Sequence, residues 1–211
     1  SSFSIADTNT VINTAVAEEL SRIADVLEAC DTEEERISAL NTVLHDTIKA
    51  HKRILFDGNG YSEERVREAE VRGLMNIPSS ADAIPHLASE KNVALFAKHN
   101  IFTREELESR CEIQLENYVK IINIEALTMV DMARKQILPA VLKYINMLTD
   151  TASKKAKIGL AAKLETKYIE KLSALCERAD EACDDLSRKT GALSGQANNV
   201  FASSQYCKTD V

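Results

Sequence analysis

Glu125 lies between Ile124 and Ala126 on an apolar helical stripe. A carboxylate there is costly unless a cation meets it. Arg110, Lys120 and Arg134 share its helix, but none stands three or four residues away, where a helical neighbour reaches. The partner is therefore expected from another helix, with Lys49, Lys52 and Arg53 as the natural candidates. Such a pair would hold structure and perform no reaction. The second stretch with chemical potential runs from Arg53 to Ser62 (RILFDGNGYS), where Asp57-Gly58 and Asn59-Gly60 make the strongest turn signal in the chain. As a phosphate loop it lacks the Gly-Lys-Ser/Thr ending. As a calcium loop it puts Asp57, Asn59 and Glu68 at the first, third and twelfth positions. Tyr61 and Ser62 then fall where an oxygen ligand and a glycine are needed. What remains is an ordered turn that packs Phe56 and Tyr61 inward and leads into a helix capped by Ser62.

His45, His51, His86 and His99 show no pairing at helical ligand spacing. His51, on an apolar stripe, reads as a hydrogen-bonded core residue. The cysteines, Cys30, Cys111, Cys176, Cys183 and Cys207, are odd in number, widely spaced and without a metal-ligand pattern. Free thiols of this kind fit a reducing, cytoplasmic setting. No nucleophile, base and orienter converge along the chain, so no catalytic, cofactor-binding or metal-binding residue is assigned.

The scaffold for these residues is expected to be all-α. Of 211 residues only 6 are Gly and 3 are Pro, while 45% are hydrophobic and 28% charged, which favours long helices. The formal net charge of −7 argues against a nucleic-acid or anionic-membrane partner. Lys154, Lys155 and Lys157 read as a solvated helix face. There is no apolar run of transmembrane length and no signal peptide, so a soluble protein is expected. The first residue is Ser, which suggests a piece of something longer.

The longest element is expected from Asn100 to Tyr144. Thr103 and Glu106 form a capping box at its start, with Ile101 and Phe102 as a hydrophobic anchor ahead of it. Leu107, Cys111, Leu115, Tyr118, Ile122, Ala126, Met129, Ala133 and Ile137 then recur along one stripe. Pro139 should kink or interrupt the helix near Ile137 and Leu138. Ahead of it a helical head spans 1–100, with helices near 8–30, 32–53, 62–72 and 80–98. Asp7 or Thr8 caps the first, Thr32 with Glu35 the second, Ser80 the fourth, and Gly73 ends the third. Ile12, Val16, Leu20, Ile23, Leu27 and Cys30 mark the inner face of the first; Ile37, Leu40, Leu44, Ile48 and His51 mark that of the second. After a turn at 149–153 a second long helix carries a heptad seam, Tyr168, Leu172, Leu175, Ala179, Ala182 and Leu186, ending at Gly191 and Gly195. With a short connection, the two long helices form an antiparallel, coiled-coil-like hairpin over 101–193. Residues 194–211 form a poorly specified tail.

Three segments carry a family resemblance: Asn9 to Leu20 (NTVINTAVAEEL), Lys49 to Leu74 (KAHKRILFDGNGYSEERVREAEVRGL) and Asn100 to Tyr144, with its SR-EI-LE-Y-IEA-TM-ILPA series. They resemble the carboxy-terminal region of type III glutamine synthetase. The residues that carry the likeness are Asp57, Gly58, Asn59, Gly60, Tyr61, Arg110, Glu112, Glu116, Tyr118, Glu125 and Pro139. The resemblance implies a parent that joins ammonia to glutamate with ATP and magnesium, assembled as stacked hexameric rings. It also implies that the catalytic barrel, the substrate and ATP sites and the metal ligands lie upstream, ending in a Phe-Glu-Phe-Arg strand. This region would then be inactive alone, its partners being its own catalytic domain and neighbouring subunits. The alternative is an independent helical coiled-coil interaction module that shares only the patterning. Residues encoded upstream of Ser1 separate the two.

Overall fold

The computed structural model describes residues 5–193 and 199–211, and every regular element among them is helical. Helix α1 (Ala6–Glu28) starts at Ile5 without a side-chain cap, so neither Asp7 nor Thr8 plays that part. Helix α2 (Glu33–His51) opens on the capping box: Thr32 Oγ accepts from the Glu35 amide at 3.2 Å, and the Glu35 carboxylate accepts from the Thr32 amide at 3.1 Å. A 3₁₀ turn, Lys52–Ile54, follows. Helix α3 (Glu63–Val71) is capped by Ser62 and closes at Gly73, whose φ of 67° lets the Leu74 amide reach the Ala69 carbonyl at 2.8 Å. The expected helix over 80–98 is three pieces: α4 (Ser80–Ala83), a 3₁₀ segment Ile84–Ala88 holding Pro85, and α5 (Glu90–Lys98). Ser79, not Ser80, precedes α4. Asn100, at φ 53°, ends α5 by the same close that Gly73 makes, with the Ile101 amide on the Phe96 carbonyl at 3.0 Å.

Helix α6 (Arg104–Met132) begins at the Thr103–Glu106 capping box. A π turn, Ala133–Ile137, joins it to α7 (Leu138–Lys157). Pro139 lacks an amide hydrogen and its ring would strike the carbonyl four residues back. The wider π turn relieves this, so the helix adjusts without stopping. It then runs past Tyr144 and through 149–153, where Thr149 and Thr151 bond back to Ile145 and Met147 at 2.9 Å. The turn lies instead at 158–162, where Gly159 at φ 76° leaves the Leu160 amide on the Lys155 carbonyl. Helix α8 (Lys163–Leu193) continues through Gly191, while Gly195 lies outside the described residues. Helix α9 (Val200–Thr209), capped by Asn199, buries Ser203, Ser204 and Cys207, so that part of the tail has a definite fold.

The chain divides into two compact units at Cys111 and Glu112, inside α6. In the first, Val93, Phe96 and Leu107 form the core, lined by Leu87, Ala88, Ile101 and Phe102. Phe96 and Phe102 meet at 5.4 Å between ring centroids. Each fully buried Phe or Leu there contributes about 1.5–3 kcal/mol. By contrast, Ile12, Val16 and Leu20 on α1 and Ile37, Leu40, Leu44 and Ile48 on α2 stay exposed. The periodicity gave one apolar face per helix, but this face is not turned into the unit's core. His51 is exposed as well and is not a core histidine.

In the second unit α7 packs antiparallel on α8. Lys155 pairs with Glu165 beside the turn, and Arg134 pairs with Asp184 and, at 3.4 Å, with Asp180 at the far end. The covered residues of α7 are Leu138, Val141, Ile145, Leu148 and Ala152. Those of α8 include Ile169, Leu172, Cys176, Cys183, Leu186 and Thr190. The expected seam is therefore only partly right: Leu172 and Leu186 turn inward, whereas Tyr168, Leu175, Ala179 and Ala182 face water. Two apolar stripes lie side by side on α8, and packing selects the one with the smaller cysteine side chains.

Candidate functional site

The DGNGYS turn is built from its own polar atoms. Asn59 Oδ1 accepts from the Tyr61 amide at 3.0 Å, Ser62 Oγ donates to the Asn59 carbonyl at 3.0 Å, and the same oxygen accepts from the Arg65 amide at 3.2 Å. Gly58, at φ 155°, lies so close to Phe56 that a Cβ there would meet the ring at 3.0 Å. Arg65 stacks 4.6 Å above that ring. Arg72 ties the turn's flank to α3 through the carbonyls of Leu55 and Arg53 and the Glu68 carboxylate. Phe56 is half-buried beneath the Arg65 guanidinium, but Tyr61 is fully exposed and does not pack inward. Asp57 and Gly60 are exposed beside it.

Arg110 joins elements of the first unit: its guanidinium lies 3.5 Å from Asp7 and 4.3 Å above the Phe102 ring. Glu112 and Pro139 are exposed, Tyr118 is half-buried, and Glu116 pairs with Lys120 at 3.0 Å. Glu125 is exposed and forms no ion pair among the described residues, so the cross-helix cation expected for it is absent. One position away, Ala126 is buried in its place. The motif residues thus sit at separate places and do not converge on a pocket.

Three ties escaped the sequence. Glu18 on α1 receives Lys98 Nζ and meets His99 Nε2, each at 2.7 Å, and the Lys98 hydrogen bond, then that of His99, holds its carboxyl below the ordinary range. Arg104 makes a two-pronged contact to Glu90 at 2.8 and 2.7 Å, which lowers the Glu90 carboxyl. Glu165, almost fully buried, is lowered chiefly by the Lys155 hydrogen bond, and its Oε2 has no hydrogen-bond partner among the described residues. Their partners stand 80, 14 and 10 positions apart, beyond any helical spacing rule. All five cysteines are free; burial pushes the Cys111 and Cys207 thiols up. Among the described residues no group of three or more His, Cys, Asp or Glu side chains is placed to hold a metal, and no helix is long and apolar enough to cross a membrane.

Chemically, these arrangements clamp helices and leave apolar faces open. A family model described as the glutamine synthetase C-terminal domain matches residues 39–156. A glutamine synthetase of Butyrivibrio fibrisolvens is 38% identical over 169 residues, covering 79% of this chain and 24% of that protein. The type-3 glutamine synthetase of Dictyostelium discoideum is 42% identical over 130 residues, 62% of this chain and 18% of its own length. A glutamine synthetase of Bacteroides fragilis (strain YCH46) is 32% identical over 148 residues, 70% of this chain and 20% of that protein. The chain spans about a quarter or less of the length of these curated relatives. The family match covers more than half of the 211 residues, and the chain belongs to the glutamine synthetase C-terminal domain family.

Proposed function

We propose that this chain is the non-catalytic helical part of a glutamine synthetase, which supports the catalytic barrel and makes contacts between subunits. The observation that carries this reading is the pair of open apolar faces on α1 and α2, where Leu20 is 61% and Ile48 63% exposed. Water-facing stripes of this length are costly in a protein that works alone and mark surfaces covered by something else. The whole enzyme would ligate ammonia to glutamate with ATP and magnesium, in the cytoplasm, as stacked hexameric rings. The described residues do not fit the magnesium site, since no acidic or histidine cluster is placed for it, and no catalytic step is routed through them. An independent coiled-coil module remains the second reading, favoured by the regular spacing along α7 and α8.

Ile12→Asp with Leu44→Asp separates the two. In the 211-residue chain alone, thermal unfolding should stay within about 0.5 kcal/mol, because both side chains already meet water. Joined to a glutamine synthetase catalytic part, the same pair should reduce ring assembly and activity together. Unchanged assembly in the joined protein would overturn the proposal.

A further inference from the structure

The turn from Asp57 to Ser62 holds the parts of a reaction that needs no second protein. Of the asparagines in the chain only Asn59 is followed by glycine; every other one precedes a residue with a side chain. An asparagine carboxamide is open to attack by the backbone nitrogen of the next residue when that nitrogen is uncrowded and not committed to a hydrogen bond. Inside a helix it is committed: Val93, which follows Asn92, donates to the Ser89 carbonyl at 2.9 Å. In the turn it is not. The Gly60 nitrogen makes no hydrogen bond among the described residues, a Cβ at Gly60 would meet nothing within 4 Å, and Asn59, Gly60 and Tyr61 are all exposed.

The bond that Asn59 Oδ1 accepts from the Tyr61 amide at 3.0 Å places the side chain for that attack. The ring closed by this bond contains the Gly60 nitrogen, so the carboxamide is folded back along the peptide that must reach it. The same N–H points at the oxygen that gains negative charge as the tetrahedral carbon forms, which is the part a donor plays in an oxyanion hole. Asn59 Nδ2, the group that must leave, donates no hydrogen bond among the described residues.

We propose that Asn59-Gly60 is a self-modification site, at which the turn deamidates and passes to an acidic, loosened form. Solvent base takes the Gly60 amide proton, the nitrogen attacks Asn59 Cγ to form a C–N bond, the Cγ–Nδ2 bond breaks, and Nδ2 takes up a proton and leaves as ammonia. Water then opens the cyclic imide at either carbonyl, giving aspartate or isoaspartate. Both products add a negative charge beside Asp57. Isoaspartate also routes the chain through the former side-chain carbonyl and turns the former backbone carbonyl into a free carboxylate. That carbonyl accepts from the Ser62 amide at 3.2 Å and from the Ser62 hydroxyl at 3.0 Å. Ser62 Oγ in turn caps α3 at the Arg65 amide, so the start of α3 loosens with the turn.

The test is peptide mapping by mass spectrometry on the full 211-residue chain, aged at neutral and at mildly alkaline pH, both folded and in urea. Conversion of amide to acid should concentrate at Asn59 and quicken with alkalinity. It should run at least as fast in the folded chain as in urea, where the Tyr61 donor is no longer held in place. Gly60→Ala fits the turn, since Gly60 lies outside the left-handed region and its Cβ would strike nothing. That Cβ crowds the attacking nitrogen and should slow the reaction about tenfold or more. In isoaspartate-containing chains, hydrogen exchange at the Ser62 and Arg65 amides should be faster while that of α6 is unchanged. An Asn59 that stays intact, a folded rate below the rate in urea, or a Gly60→Ala rate equal to that of the wild type would each overturn the site. Unchanged exchange at Ser62 and Arg65 would overturn the loosening.

Discussion

Glu125 and Ala126 are neighbours in sequence, yet the rotation of about 100° between them puts one in water and the other in the interior. A hydrated carboxylate needs no cation. Glu125→Ala and Glu125→Gln should therefore both stay within about 0.5 kcal/mol in chemical denaturation. A loss several times larger for alanine would mean that a buried partner exists after all. Glu18 is one of the acids whose charge state matters to the fold. Its carboxyl is held below the ordinary value of 4.5, first by Lys98 and then by His99. A depressed folded pKa gives stability that is complete above the unfolded value and is lost as pH falls through the folded one. Acid unfolding of the wild type should thus steepen below about pH 4.5, and Glu18→Gln should flatten that limb. Identical acid limbs would show that the α1–α5 tie contributes nothing. This tie was invisible in the sequence, because nothing local couples position 18 to positions 98 and 99.

Among the elements, α8 shows how an apolar pattern can be read in the right helix and at the wrong angle. Its stripes through Tyr168 and Leu175 and through Ile169 and Cys176 differ by one residue, and both have the three-and-four spacing of a seam. The structure buries Cys183 and leaves Leu175 45% exposed. Cys183→Asp should therefore cost about 2 kcal/mol or more by burying an unpaired charge, while Leu175→Asp should stay within about 0.5 kcal/mol. Melting temperatures of the two variants settle this, and the opposite ranking would put the other stripe inside. The hairpin turn carries a related lesson. It falls at Gly159, at φ 76°, and not in the polar run at 149–153, although Thr and Ser are common in turns. In α7 those threonines satisfy their hydroxyls on the preceding helical turn and so remain helical.

At the scale of the whole molecule, the buried side chains are concentrated around Phe96 and Leu107 and along α6 and α8, while much of α1, α2 and the outer hairpin is apolar and open. That distribution is what supports the assembly role proposed above. Purified alone, the chain should give no glutamine synthesis and no γ-glutamyl transfer, since phosphoryl transfer needs positioned metal and charge to stabilise its transition state. The check is a coupled phosphate-release assay with glutamate, ammonia, ATP and magnesium. Turnover in a preparation free of full-length enzyme would overturn the expectation.

The sequence by itself determined the helical class and most of the helix ends. Thr32 with Glu35, Thr103 with Glu106, Ser62 and Gly73 each act on backbone groups within about five positions, so their effect can be read without knowing the fold. The likeness that placed the family was legible for a similar reason, since it resides in residue order. The tertiary structure alone decided which apolar stripe is covered, that Tyr61 points into water, that Glu125 stands unpaired and that Glu18 meets Lys98 and His99. Each of these depends on how helices rotate against partners far along the chain. Periodicity says that a face exists, and only packing says what that face meets.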